Sequence, residues 1–295
     1  MADVVTNNAK NVHLNRIFKS TPDNTEPSYF VCSASSKTPT AGDSELEYAI
    51  GKSTTTIDAM DAITGWSNSG DADTEVLNTT SGEFREGTGC LNLPITHSTG
   101  TAAWEKTVSS VDLSNNFVSL FFYIDDKTNL SNVSDAFSLF LGTSGFTNSY
   151  EYHVSKTDLS TGWNQIGFDV SNGFDTTNGS GATLTGVDRV KIQLKITGNY
   201  TGNSIRADLI HYSTEANLLV SISSGFPTFD TGVRSATIKG VIEATEMNDG
   251  TPDINKVYVV NNDSSKVLMY EHTLSSSLSK TNKTRITLTE TTTHD

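Results

Sequence analysis

The sequence predicts an all-β protein: a β-sandwich base formed by the N- and C-terminal segments, with an inserted jelly-roll β-sandwich. Three observations predict it. Short runs with period-two alternation recur along the chain, separated by Gly, Asn and Ser turns. All three tryptophans, Trp66, Trp104 and Trp163, fall in one middle block that reads as a complete β unit. The segments flanking that block read as two halves of a second domain. The expected boundaries are residues 1–55 and 214–295 for the base and 56–213 for the insertion. A chain of 295 residues suits two domains at ~100–200 residues each, large enough to form cores without disulfide or metal staples.

The elements follow in order. Residues 12–18 alternate at Val12 and Leu14, which fits a strand or the start of a short helix. Residues 28–32 are a clearer strand, and 33–43, with Pro39 and Gly42, are loop. Ser44 with Glu47 three residues on has the form of a capping box, predicting a helical turn over 44–50. Within the middle block, strands are expected over 89–95, 102–108, 117–124, 136–141, 150–154, 163–170, 187–196 and 204–212. Residues 117–124 are apolar on both faces, as in a central strand. The last block adds strands at 218–222, 235–244 and 256–261, a turn at 261–263, a returning strand at 266–271 and a closing strand at 284–291. Regular short strands without intervening helices favour a sandwich over a βαβ fold.

Composition narrows the function. Asp plus Glu total 34 against 20 Lys plus Arg, a net charge of −14. Nucleic acid is not an expected partner, because phosphate contacts need clustered basic side chains. No apolar run is long enough for a membrane span. The N-terminus lacks the basic and apolar regions of a signal peptide. Cys32 and Cys90 have no metal-ligand spacing and are expected free and at least partly buried. The six histidines lack HxH or HExxH spacing, and no nucleophile elbow or phosphate loop occurs. Asp125 and Asp126 are adjacent, so on a strand they point to opposite faces rather than at one glycosidic bond. The reading is of a protein that is not an enzyme.

Aromatic side chains are the candidate ligand contacts, since a sugar ring stacks on a flat apolar face. Trp66, Trp104, Tyr123, Tyr150 and Tyr152 are the candidates, with core packing as the competing role. Trp163 follows a glycine at the head of an alternating strand and is expected buried or half-buried.

The middle block resembles jelly-roll carbohydrate-binding modules. The resemblance rests on an ordered set: Asp61 and Trp66, then Arg85-Glu86-Gly87-Thr88-Gly89-Cys90-Leu91-Asn92-Leu93, Ala103-Trp104, Thr161-Gly162-Trp163-Asn164-Gln165-Ile166, and Arg206-Ala207-Asp208-Leu209-Ile210. It implies a structural calcium ion, with Asp58 or Asp61, Glu86 and Asp208 as ligands, since calcium takes six to eight oxygens. The competing role for these acids is hydrogen bonding at strand-end turns.

The flanks resemble proteins of tailed viruses, on Asn7-Asn8-Ala9-Lys10-Asn11-Val12, Tyr29-Phe30-Val31 and residues 37–46, and on residues 254–263, Leu268-Met269-Tyr270 and residues 278–283. Val257-Tyr258 stands where that pattern usually has a glycine. The resemblance implies a virion component of the tail, baseplate or fibre, bound to other virion proteins, with an outward jelly-roll for host-surface glycan adhesion. A homo-oligomer is expected, a trimer by preference. The alternatives are a capsid decoration or head-fibre protein and a free carbohydrate-binding module.

Overall fold

The computed structural model describes all residues except 1–2, 20, 22, 36–37, 44–45, 47, 98, 171–173, 199, 201–203, 248–252, 264–266, 281–284 and 294–295. The fold is all-β. Contacts divide the chain into two compact units, Met1–Ser53 with Glu215–Asp295, and Thr54–Thr214.

The chain opens with β1 (Asp3–Val5) and helix α1 (Asn7–Phe18). The apparent alternation at Val12 and Leu14 thus belongs to a helix. Among the described side chains of the helix, Ala9 and Val12, three apart on one face, are buried, while Leu14 is exposed. Thr6 caps the helix: its hydroxyl accepts from the Ala9 N–H at 3.1 Å and donates to the Leu268 carbonyl at 2.7 Å. β2 (Pro27–Ser33) and the short β3 (Ala49–Ile50) follow. The capping pair Ser44 and Glu47 lies outside the described residues, and the segment ends in a strand.

The second unit holds β4 (Thr55–Asp58), β5 (Trp66–Gly70), β6 (Val76–Asn78), β7 (Cys90–Asn92), β8 (Gly100–Val111), β9 (Asn116–Ile124), β10 (Phe137–Gly142), β11 (Ser149–Val154), β12 (Gly162–Asp169), β13 (Thr176–Asn178), β14 (Val187–Ile196) and β15 (Ile205–Thr214). One antiparallel sheet runs β13-β11-β10-β14-β8-β5. The other runs β12-β9-β15-β7-β6, with β4 also on β15. The sheets meet through aromatic rings. Phe122 meets Phe137 at 4.8 Å, and Tyr152 stacks on Phe168 at 4.3 Å with 9° between planes. These contacts fix which face of each strand looks inward, because side chains alternate with period two. β9 is apolar on both faces because its outer face is also covered. There the guanidinium of Arg85, on the β6–β7 connection, lies 5.4 Å from the Phe121 ring centroid.

The first unit is completed by α2 (Glu215–Leu218), β16 (Val220–Ser221), β17 (Thr228–Asp230), β18 (Ser235–Ile242), β19 (Asp253–Asn261), β20 (Leu268–Ser279) and β21 (Ile286–Thr293). Its larger sheet runs β1-β20-β19-β2-β16, with β3 on β2, and its smaller sheet β17-β18-β21. N-terminal β2 lies between C-terminal β19 and β16, so neither segment can form this sheet alone. Phe30, Cys32, Val257, Val259 and Tyr270 share one core with Ile238, Ile242, Ile286 and Leu288 of the smaller sheet. Gly240 is required there, since a Cβ would stand 2.8 Å from the Phe30 ring. Cys32 and Cys90 are free and buried, and burial pushes both thiols up to about 12.

Lys256 and Glu271 form an ion pair at 2.5 Å, with side chains only 1% and 2% exposed. Burial raises the Glu271 carboxyl above its ordinary value, and Lys256 draws it back. Breaking such a pair leaves a buried charge without its partner, at a cost of about 3–5 kcal/mol. Lys256→Met is expected to lower stability by about that much in urea unfolding. Lys256→Met with Glu271→Leu is expected to recover most of the loss.

Candidate functional site

The aromatic candidates are placed by strand alternation. Asn68, Trp104, Ile192, Leu139 and Tyr152 form one inward cross-strand row over β5, β8, β14, β10 and β11. Trp104 is completely buried, and its Nε1–H donates to the Asp73 carbonyl at 3.0 Å. Trp66 is 6% exposed, with the Lys106 ammonium 5.8 Å from its ring. Both are core residues, which corrects the expectation that they offer faces to a ligand. Tyr150 shares the inward face with Tyr152 and stacks on Phe174 at 4.2 Å. These two rings are therefore also spent on packing. Tyr123 lies on the other sheet, between Trp163 at 5.4 Å and the Arg206 guanidinium at 4.6 Å.

The acidic candidates separate into one acid and a group of three. Asp58 is ion-paired with Lys106 at 2.5 Å and accepts from the Met60 N–H, so it does not serve as a metal ligand in this arrangement. Asp61, Glu86 and Asp208 are neighbours. Asp61 Oδ1 accepts from the Thr88 and Gly89 N–H groups at 2.6 and 2.8 Å. Gly87 packs over this carboxylate at φ +69°, where a Cβ would stand 2.2 Å from Oδ2. Asp208 is completely buried, and its Oδ2 accepts from the Arg85 and Glu86 N–H groups at 2.6 and 3.1 Å. Its Oδ1 is buried with no hydrogen-bond partner among the described residues. Burial pushes the Asp208 carboxyl up to about 6, the two N–H groups oppose the shift, and the charges of Asp61 and Glu86 add to it. An orphaned carboxylate oxygen beside two further acids suits a hard cation. Among the described residues, no three His, Cys, Asp or Glu side chains form a ready-made metal cluster. Other oxygens would come from backbone or water.

On the outer face of the same sheet, the Ser119 hydroxyl lies 2.7 Å from His211 Nε2. This spacing matches a nucleophile and its base, but the two residues are only 5% and 4% exposed. The hydroxyl is buried in this arrangement.

The outer face of the β13-to-β5 sheet differs. Ser69, Ala103, Gln193, Ser138 and His153 form a cross-strand row over β5, β8, β14, β10 and β11. Beside it run Ser67, Glu105, Lys191, Phe140 and Glu151. Ala103 and Ser138 face outward yet are only 5% and 1% exposed, because longer side chains flank them. The rows therefore make a trough with a low floor. The Ser138 hydroxyl is buried with no partner among the described residues. The Gln193 amide and the Glu105 carboxylate likewise have no hydrogen bond to other described residues. An unsatisfied buried hydroxyl costs about 1–3 kcal/mol, and with no accessible surface on its oxygen Ser138 is no more presented to a ligand than Ser119 is. None of these residues was among the candidates drawn from the sequence. The signal was present: inward Val190, Ile192 and Leu194 leave Lys191 and Gln193 facing out.

No family model matches the chain, and no curated protein matches it. Several solved structures are similar in part. One is described as the structural basis for the promiscuous specificity of carbohydrate-binding modules from the β-sandwich superfamily. It is 14% identical, covers 65% of this chain and 86% of its own, and has a TM-score of 0.36. An exo-β-agarase is 9% identical over 56% of this chain and 26% of its own, with a TM-score of 0.36. The enzymatically active domain of bacteriophage CBA120 tailspike protein 4 is 12% identical over 56% of this chain and 21% of its own, with a TM-score of 0.34. The chain thus spans about a quarter of the agarase and a fifth of the tailspike structure.

The position of Asp208 implies a pH dependence. Its folded pKa of about 6 lies above the ordinary 3.8, so the folded state holds the proton more tightly. The resulting stability is fully present below pH ~4 and is lost as pH rises through ~6. At about 1.4 kcal/mol per unit, the loss is on the order of 3 kcal/mol. Urea unfolding in chelator is expected to show this decline, and Asp208→Asn is expected to flatten it.

Proposed function

We propose that this chain is a non-catalytic glycan-binding component of a tailed-virus particle, with the trough on the β13-to-β5 sheet as its binding surface. The observation that carries the reading is the outward polar face of that sheet, where the half-exposed Gln193 amide and Glu105 carboxylate make no hydrogen bond to other described residues. Amides and hydroxyls both donate and accept, as sugar hydroxyls do. The first unit is the anchor to other virion proteins and the contact between copies, with a trimer as the assembly. It exposes Phe229 at 73% and Val233 at 59% on the β17–β18 hairpin, apolar surface suited to association. A free carbohydrate-binding module shares the same trough. A capsid decoration protein would use the same base.

We further propose a calcium ion held by Asp208 with Asp61 and Glu86, favoured by the orphaned Asp208 Oδ1. Bound calcium would replace the strain of a buried carboxylate with coordination and tie the β6–β7 connection to β15. Ligand binding to the native state alone raises the melting temperature. Calcium is expected to raise it in the parent chain and not in Asp208→Asn. An identical melting temperature in calcium and chelator would remove the metal.

The glycan reading is tested by pull-down on host-surface glycan preparations. The parent chain is expected to bind, and Gln193→Ala is expected to weaken binding roughly tenfold, about the worth of one good hydrogen bond. If no preparation retains the chain, glycan binding is wrong. Gold-labelled antibody on intact particles places it: label at the tail supports adhesion, label over the head supports decoration, and unlabelled particles leave the free module.

A further inference from the structure

We propose that the first unit makes its own covalent cross-link, an amide between the Lys256 side-chain nitrogen and the Asp43 side-chain carboxyl, formed with Glu271 as proton carrier. The chemistry lies wholly within this unit and does not depend on what the second unit binds.

The three groups come from separate elements. Lys256 is on β19, Glu271 on β20, and Asp43 on the connection between β2 and β3. Lys256 stands opposite Ser33 of β2, and Glu271 opposite Tyr258 of β19. Val257 and Val259 alternate with Lys256 and Tyr258 and take the core face. Lys256 and Glu271 therefore share the other face of the larger sheet, where they are only 1% and 2% exposed. Glu271 Oε1 bonds the ammonium, and Oε2 is buried with no hydrogen-bond partner among the described residues. The Asp43 carboxyl is the second neighbour of Glu271, and the Lys256 charge acts on both acids.

Asp43 is held for attack. Its Oδ2 accepts from the Thr40 N–H and its Oδ1 from the Thr40 hydroxyl, both at 2.7 Å. The Asp43 N–H donates to the Thr40 carbonyl at 3.1 Å, and the Ala41 carbonyl accepts from the Asn7 N–H at 2.7 Å. The two Thr40 donors draw charge from the carboxyl carbon and are in place to hold the oxyanion that attack creates.

Two carboxylates against one ammonium leave a negative charge in excess at a site shielded from water. Burial raises the Glu271 carboxyl, Lys256 opposes the rise, and Asp43 adds to it. Glu271 is thus suited to take up a proton and release it again. It takes one from the Lys256 ammonium through their existing hydrogen bond and passes it to Asp43. The freed amine attacks the Asp43 carboxyl carbon, and the Nζ–Cγ bond forms. A second proton follows the same route from the nitrogen to the leaving oxygen. The Cγ–O bond breaks and water departs. One ammonium and one carboxylate become one amide and one water, Glu271 ends as it began, and no other reactant is consumed. Such condensation is slow between free molecules, but here the reactants are held together in one geometry. The ion pair is the state before condensation. The bond joins the N-terminal and C-terminal segments that build the larger sheet.

The test is the intact mass of the purified, denatured full chain. The parent is expected to weigh one water less than its sequence. Its tryptic digest is expected to contain a branched peptide joining the Asp43 and Lys256 segments, uncut after Lys256. Asp43→Ala keeps the Lys256–Glu271 pair and is expected to show the full mass and no branched peptide. Asp43→Asn is expected to lose ammonia in place of water, because the amide nitrogen is then the leaving group. Glu271→Gln is expected to accumulate the bond roughly a hundredfold more slowly, the worth of a positioned proton carrier. A parent chain that keeps its full mass after prolonged incubation in the folded state overturns the cross-link. A water loss that persists in Asp43→Ala overturns it too, since the reaction then lies elsewhere in the chain.

Discussion

The aromatic contacts between the two sheets of the second unit are the constraint on which the rest of that unit depends. Phe122 against Phe137 and Tyr152 against Phe168 decide which residues of β9, β10, β11 and β12 face inward. Strand side chains alternate, so those contacts also decide the outward set. A one-residue slip of β10 would turn Ser138 into the core and Leu139 out to water. The trough is therefore the obligatory reverse side of the core: its floor is where it is because Trp104, Ile192 and Leu139 are buried beneath it.

The two outer faces of this sandwich have different fates for a related reason. Over β9 and β15, the β6–β7 connection donates backbone N–H groups to Asp208 and places Arg85 against Phe121. That cover helps bury Phe121, and Ser119 and His211 are buried on the same outer face. The opposite sheet presents its outer rows, where Gln193 and Ser138 have no hydrogen-bond partner among the described residues. Folded chains satisfy nearly all buried polar groups, and exceptions concentrate where function asks for them. The Ser138 hydroxyl and the Asp208 carboxyl are two of several such exceptions among the described residues of this unit.

The first unit solves a different problem. Its larger sheet is assembled from segments far apart in sequence, with β1 on β20 and β2 on β19. Thr6 joins them at one point by capping α1 while bonding the Leu268 carbonyl. The Lys256–Glu271 pair acts within the C-terminal segment, as a buried charge pair in the β19–β20 hairpin. Such a pair adds little net stability over an apolar replacement, but each partner makes the other indispensable.

The sequence by itself determined the class of fold and most strand positions. Alternating runs such as 187–196 and the doubly apolar 117–124 became β14 and β9, because period-two burial needs no distant information. It could not separate strand from helix at residues 12–18, where the spacing of Val12 and Leu14 suits either, and packing of Ala9 and Val12 into the core beside β20 decided for helix. Nor could it assign the aromatic residues. A tryptophan reads the same whether its face meets a sugar or a leucine, and only the cross-strand register put Trp104 inside and Gln193 outside. The acids followed suit: Asp58 was drawn to Lys106, whereas Asp61, Glu86 and Asp208 came together from strands and turns far apart in the chain. The tertiary structure decided these roles because each depends on which neighbour arrives from elsewhere in the fold, a distance that local sequence does not encode.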